Sequence, residues 1–531
     1  MHTTRLIFVI LFFRSFLFFG QAESIAQKNI DVQKYVFHIA VNDTTNLIHV
    51  RAEITVLFNE PVKSFSFDLV SKGAEGKGMR VDEVLENKVK KEFKQTDEKL
   101  IVNTEIKTSF LQKTYTIKYH GIPKDGLIIS KNKFGDRTFF GDNWPNRAHN
   151  WLVCEDHPSD KALVEFYVTA PAYYQVIASG KLKERTNLND KQTLTIWKTD
   201  VPLPTKVMVI GVAHFAVEQV GATHGIPISS WVYPQNKKEG FYDYAQALKI
   251  VNFFIEEVGP FPFSKLANVQ SKTRFGGMEN AGNIFYFERS VTGQRKHESL
   301  LVHEIAHQWF GDSATETGWK HLWLSEGFAT YFTNLYYEDK YGEEIFKKRL
   351  SDQRDKVIRF SKNHKTPVID IATTNLLKLL NANSYEKGGW VLHMLRRKVG
   401  DENFWQSIRT YYKKYAYKNA STEDLKKIFE EISGEKLDGF FEQWLKKPGH
   451  PVLKTSYVQN GNIIMMHIKQ TQNDFPLFRF PLELQLIYQD GTSEKTKVYV
   501  SKKDEVFTIK VRSEIKEILI DPEVNLLYEK G

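Results

Sequence analysis

The hydrophobic pattern of this 531-residue chain changes period twice, and that change constrains its fold more than any other feature. From about Tyr35 to Val232, short runs alternate apolar and polar residues: HVRAEITVLF (49–58), KTYTIKYHG (113–121), ALVEFYVTAP (162–171) and KVMVIGVAHFAV (206–217). A period of two sends successive side chains to opposite faces, which predicts half-buried antiparallel strands. Near Tyr233-Pro234 the period becomes helical, in 240–259, 298–311, 326–342, 390–400 and 421–434, with strand-like patches at 265–271 and 283–288. The last of these helices opens on Ser421-Thr422-Glu423-Asp424, a polar start short of the Ser-x-x-Glu capping box. Beyond Pro448-Gly449-His450-Pro451 the strand period returns, at 462–470, 481–490, 496–503, 505–513 and 516–522. The predicted architecture is multidomain α+β. A leader spans 1–22, an N-terminal antiparallel β domain 23–232, a mixed α+β domain 233–447 and a small C-terminal β-sandwich 448–531.

Composition narrows the function classes. Charged residues at 26% and hydrophobic ones at 41% belong to an ordinary globular chain and exclude wholesale disorder. The net charge of +9 is spread thinly, with no Lys/Arg block of the kind that tracks nucleic acid. The single cysteine, Cys154, excludes an intrachain disulfide and a cysteine-rich metal site, so any metal here needs histidine and carboxylate. It reads as a buried structural thiol. Arg5, the apolar run from Leu6 to Gly20 and the small residues around Ala22 form a secretory signal pattern. Arg14 interrupts the run, and the stretch is short for a membrane span, so export without stable membrane insertion is expected and a signal anchor is the second reading.

The chemistry sits in His303-Glu304-Ile305-Ala306-His307. On a helix, residues four apart project from one face, so both imidazoles can hold one metal, with the Glu304 carboxylate beside a metal-bound water. Leu301, Val302, Ile305 and Ala306 predict that this helix is buried. Catalytic zinc takes three protein ligands and one open position. No third histidine follows closely, so a carboxylate completes the set. Glu326, at the start of the next helical run, is the candidate.

These residues carry a resemblance. HEIAHQWFGD (303–312) and LWLSEGFATYF (322–332) look like the zinc motif of the M1 family of metallo-aminopeptidases, the group of aminopeptidase N and leukotriene A4 hydrolase. Gly276-Gly277-Met278-Glu279-Asn280 matches that family's G-x-M-E-N exopeptidase motif, and Asn383-Ser384-Tyr385-Glu386-Lys387-Gly388 is similar to the segment bearing its catalytic tyrosine. The resemblance implies a β domain, a thermolysin-like catalytic domain and a β-sandwich. It implies one Zn²⁺ per chain on His303, His307 and Glu326, with Glu304 as general base and Tyr385 donating to the oxyanion. Glu279 would take the substrate's α-ammonium, Gly276 and Gly277 would let an extended peptide approach the backbone, Met278 would flank the pocket for its first residue, and Asn280 completes the motif. The expected substrates are peptides with a free N-terminus.

Departures from the family pattern are informative. Where many members place a Gln or Glu of the first domain on the substrate amine, 141–147 offers only Asp142 as a substitute. Residues 371–384 contain no acid, which weighs against epoxide hydrolysis. After Pro451 only strand patterns remain, so the expectation is a short form without the family's C-terminal helical domain and with a more open active site. Two other readings compete: a thermolysin-like endopeptidase, and a catalytically inactive peptide-binding relative.

Overall fold

The computed structural model describes Gln27 and residues 29–531, so the expected leader at 1–22 lies outside the described residues. The alternating runs form strands with alternating burial. In Ile48–Phe58, for example, Ile48, Val50, Ala52, Ile54, Val56 and Phe58 are buried and the residues between them are not. This strand is central in a large sheet ordered Lys181–Asn189, Gln192–Lys198, Lys161–Pro171, Ile30–Ala40, Ile48–Phe58, Leu111–Ile122, Gly78–Glu86 and Val89–Lys90. One pair departs from the expected antiparallel pattern: Ile30–Ala40 runs parallel to Lys161–Pro171. More than a hundred residues separate the two strands, ample for the crossover that parallel pairing requires.

The run at 206–217 is not one strand. It divides into the 3-10 turn Thr205–Val207, the strand Ile210–Ala213 and the strand Ala216–Thr223, which join different sheets. Lys206 is the reason at its start: its ammonium is drawn inward to Glu316, 2.6 Å away, and both side chains are fully buried. The hairpin of Ala216–Thr223 and Ile226–Val232 continues into the sheet of the catalytic half, through Leu266–Ser271 and Asn283–Phe287 to the short edge strand Gly277–Met278. A hairpin has the same period whichever sheet it joins, so the change of sheet precedes the change of period at 233.

The first helices of this half pack against the sheet, and the later ones pack on helices. The pattern at 240–259 breaks into Lys237–Tyr244 and Ala247–Glu257. Ser421 and Asp424 form a full reciprocal capping box, so Asp serves where Glu was the expected partner. Two helices escape the periodicity reading, Glu343–Asn363 and Asp401–Tyr415. In the first, the buried positions Phe346, Leu350 and Val357 are too sparse to mark a stripe. The C-terminal strands form a four-stranded and a three-stranded sheet, each with one buried face. Among the described residues no helix is long and apolar enough to cross a membrane.

Candidate metal centre and cleft

His303 and His307 stand on the helix Glu298–His307, whose Leu301, Val302, Ile305 and Ala306 are buried as their pattern requires. Glu326 lies in the first turn of the helix Trp323–Tyr341. The three side chains converge. The two Nε2 atoms are 3.1 Å apart, and Glu326 Oε2 lies 3.3 Å from that of His303 and 3.2 Å from that of His307. Tetrahedral zinc, with bonds of about 2.0–2.1 Å, separates its donors by about 3.3 Å, so the triangle has the right size. Its donor orientation is also right. His307 Nδ1 faces the Phe310 carbonyl at 3.1 Å, and donating there leaves Nε2 with its lone pair. Glu326 Oε2 is buried without a hydrogen-bond partner among the described residues, an acceptor held ready for a cation. Burial disfavours the charged carboxylate, yet His307 and His303 hold Glu326 below the usual carboxylate range. Burial alone would lower His307, and Glu326, Glu279 and Glu304 outweigh it and raise this imidazole to about 10. Two imidazoles ringed by three buried carboxylates favour positive charge, which a proton on His307 meets without a metal and a divalent ion on both Nε2 lone pairs would meet in its place.

The triad opens into a cleft of about 470 Å³ lined by Gly276, Gly277, Met278, Glu279, Glu304 and Tyr385 among others. A side chain at Gly277 would displace the Glu304 carboxyl, because a Cβ there would overlap it. That contact sets the carboxyl against the edge strand Gly277–Met278, beside the pair of histidines. Burial, with Glu279 and Glu326 nearby, pushes Glu304 well up against the pull of His307. Glu279 is also buried, and its Oε1 has no partner among the described residues. Its backbone is fixed by a residue the periodicity reading passed over. Gln308 Nε2 donates to the Glu279 carbonyl at 2.6 Å and to Asp312 Oδ2 at 3.0 Å, while Gln308 Oε1 accepts from Gly282 N at 2.8 Å. The only sequence signal for this was its place directly after the pentad. Asn280 is buried outside the cleft lining, and its carbonyl closes the turn by accepting from Asn283 N.

Tyr385 sits in the π-helical turn Asn383–Lys387, a local widening that often marks functional positions. Its ring stacks on that of His303, with centroids 5.9 Å apart. Burial, with Glu326 and Glu279 adding to it, pushes its hydroxyl pKa up, so the phenol keeps its proton. Two glycines allow this approach. A Cβ on Gly327 would come within 2.8 Å of the Gly388 carbonyl carbon, and one on Gly388 within 3.0 Å of Gly327 Cα. The helices carrying Glu326 and Tyr385 therefore touch backbone to backbone.

Asp142 is elsewhere. It is fully buried, pairs with Arg147 at 2.9 Å, accepts from Arg274 N at 3.2 Å and does not line the cleft. The first-domain residue that does line it is Trp144. Other lining residues not read from the sequence are Thr330, Thr333, Arg349, Gln353 and Lys356; the last three stand on the helix Glu343–Asn363, which the periodicity missed. Cys154 is buried, and burial raises its thiol.

Known proteins resemble this chain. The Peptidase family M1 domain matches residues 242–444, and the Peptidase M1 N-terminal domain matches residues 32–207. Glutamyl aminopeptidase of Homo sapiens is 29% identical over 341 residues, covering 60% of this chain and 35% of that protein. Aminopeptidase M1-C of Oryza sativa subsp. japonica is 28% identical, covering 58% of this chain and 36% of that protein. The chain thus spans about a third of the length of these curated relatives. An M1 zinc metallopeptidase from Deinococcus radiodurans, 26% identical, superposes with a TM-score of 0.68 over 81% of this chain and 96% of its own. A mutant of that enzyme has been crystallised with a Tyr-Ser-Ala substrate. With both domain models matched in order around a zinc-sized triad, this chain belongs to peptidase family M1.

Proposed function

We propose that the protein is a zinc-dependent aminopeptidase that removes N-terminal residues from peptides with a free α-amine. His303, His307 and Glu326 would hold zinc, which when bound would supply Lewis-acid polarisation and a water acidified towards neutral pH. The protein's own groups do the rest. Glu304, held against Gly277, accepts the proton of the attacking water and returns it to the leaving amine. Tyr385 donates a hydrogen bond to the oxygen on which negative charge develops, a contribution of about 3 kcal/mol where the donor is preorganised. The unpaired edge of Gly277–Met278 offers backbone groups to an extended peptide.

The observation that carries the exopeptidase reading is Glu279. A buried carboxylate oxygen without a partner, lining the same cleft as the triad, is costly unless a cation completes it. A substrate α-ammonium is that cation. The aminopeptidase activity named for the relatives and the tripeptide bound by the Deinococcus mutant agree with this assignment. The test compares one tetrapeptide with its amine free and N-acetylated. Acetylation is expected to lower kcat/KM by about 10³-fold or more, because it removes the charge and leaves Glu279 buried and unpaired. Equal rates would overturn the reading in favour of a thermolysin-like endopeptidase. Chelation should abolish the activity and zinc restore it; a protein that binds peptide but hydrolyses none when zinc-loaded is an inactive relative.

A further inference from the structure

We propose that Arg349 is a carboxylate-binding subsite on the leaving-group side of the cleft, selecting a carboxylate on the residue after the scissile bond; this rests on the aminopeptidase reading above. Arg349 stands on the helix Glu343–Asn363 and lines the cleft with the triad. Its Nε donates to Asn334 Oδ1 at 2.9 Å, its Nη2 donates to Ser299 Oγ at 3.0 Å, and its guanidinium lies 4.0 Å over the Tyr337 ring. Asn334 is locked in turn by Gln353, through bonds of 2.7 and 3.2 Å. The guanidinium is therefore fixed in place by neutral groups.

What it lacks is an ion pair: Asp352 and Glu298 act on it only from beyond contact distance. Two basic residues line the cleft. Lys356 is paired with Glu386 at 3.1 Å, whereas Arg349 makes no ion pair among the described residues. Two of its five N–H donors are used, which leaves donors for the planar two-point recognition that carboxylates accept from arginine.

Its position suits a substrate. Along the pentad helix, Ser299 holds Arg349 near one end and Gln308 holds the Glu279 loop at the other, with His303 and His307 between. Nine residues at 1.5 Å make that separation about 13.5 Å. An extended dipeptide or tripeptide spans about 7–10 Å, and the reach of the Glu279 and Arg349 side chains closes the difference. With its ammonium on Glu279 and its first carbonyl at the triad, a short peptide directs its second residue towards Arg349. The carboxylate is either the C-terminal one of a short peptide or the side chain of an acidic second residue.

Binding decides the matter without relying on turnover. In zinc-loaded Glu304→Gln protein, calorimetry compares Leu-Ala, Leu-Ala amide and Leu-Asp amide. At least one carboxylate ligand is expected to bind about tenfold more tightly than Leu-Ala amide, and the double variant with Arg349→Met should reduce that ratio to about twofold or less. Arg349→Lys, which keeps the charge and the stem but not the fork, should give an intermediate ratio. A preference for Leu-Ala assigns the site to the terminal carboxylate, and one for Leu-Asp amide assigns it to a side chain. Equal ratios in the parent and both variants, or no preference in the parent, overturn the proposal. N-acetyl-Leu-Ala binding as tightly as Leu-Ala would instead break the Glu279 assignment and leave the Arg349 ratio to stand.

Discussion

Two buried polar clusters meet at Gln308, and they differ in what their charged groups face. Behind it, at the junction of the β domain with the catalytic half, Lys206 is paired with Glu316 at 2.6 Å, and Lys161 donates to the Ser313 carbonyl at 2.7 Å and the Asp312 carbonyl at 3.3 Å. In front of it, Glu279 Oε1 and Glu326 Oε2 have no hydrogen-bond partner and Arg349 makes no ion pair among the described residues. Burying a charge without its complement costs several kcal/mol, so such groups persist where a ligand completes them. At the junction each carboxylate has a partner on one oxygen, Glu316 on Lys206 and Asp312 on Gln308, although Glu316 Oε2 and Asp312 Oδ1 are themselves without a hydrogen-bond partner among the described residues. The cleft differs in that Glu279 and Glu326 line an open space, which an ion and a substrate would fill under the proposed function.

The largest effect that would sharpen this contrast comes from the cleft. Glu304→Gln should lower kcat by about 10³-fold with zinc content unchanged, since it removes the proposed general base and leaves the proposed ligands in place. Gly277→Ala should lower it by about 10²-fold, because the added methyl displaces the same carboxyl. Steady-state kinetics with metal analysis checks both, and wild-type rates in either variant would break the assignment of Glu304.

At the junction the effect should fall on stability instead. Lys206→Met leaves Glu316 buried and unpaired, with an expected loss of about 3 kcal/mol in urea denaturation. The Lys206→Met, Glu316→Leu double variant should recover much of it. A loss confined to kcat would show that the junction is part of the catalytic machinery.

The last effect is a pH dependence. Burial, reinforced by Lys206 and opposed by Glu316 and Asp312, lowers the Lys161 ammonium from 10.5 to about 7. Its folded pKa lies below its unfolded one, so between about 7 and 10.5 the unfolded chain binds more protons and stability rises with pH. Below 7 the contribution is flat. Urea midpoints at about pH 7 and about pH 9.5 should therefore rise more in the wild type than in Lys161→Met, and parallel curves would exclude a charge buried at this site.

Much of the site was legible because its signals are local. The pentad puts two histidines on one helical face through a four-residue spacing, and Glu279 belongs to a five-residue segment beside an edge strand. The expected first-domain partner, Asp142, illustrates the opposite case. Its place in a short polar stretch could not reveal that Arg147 claims it and that Trp144 turns to the cleft instead. Arg349 was invisible for a related reason: a charged residue on a sparsely apolar helix looks like solvated surface until its neighbours are known.

The sequence by itself determined the alternation of strand and helical periods, the pairing of His303 with His307 and the burial of their helix, because these depend on residues within a turn or two of one another. Only the tertiary structure decided which sheet the 216–232 hairpin joins, how Glu326 and Tyr385, 59 residues apart, come to face one centre, and which buried charges lack partners. Those outcomes rest on close packing between distant segments, as at Gly327 and Gly388, where the absence of two side chains sets the distance between helices. A periodic pattern records which face of an element is buried, and carries no record of what that face will meet.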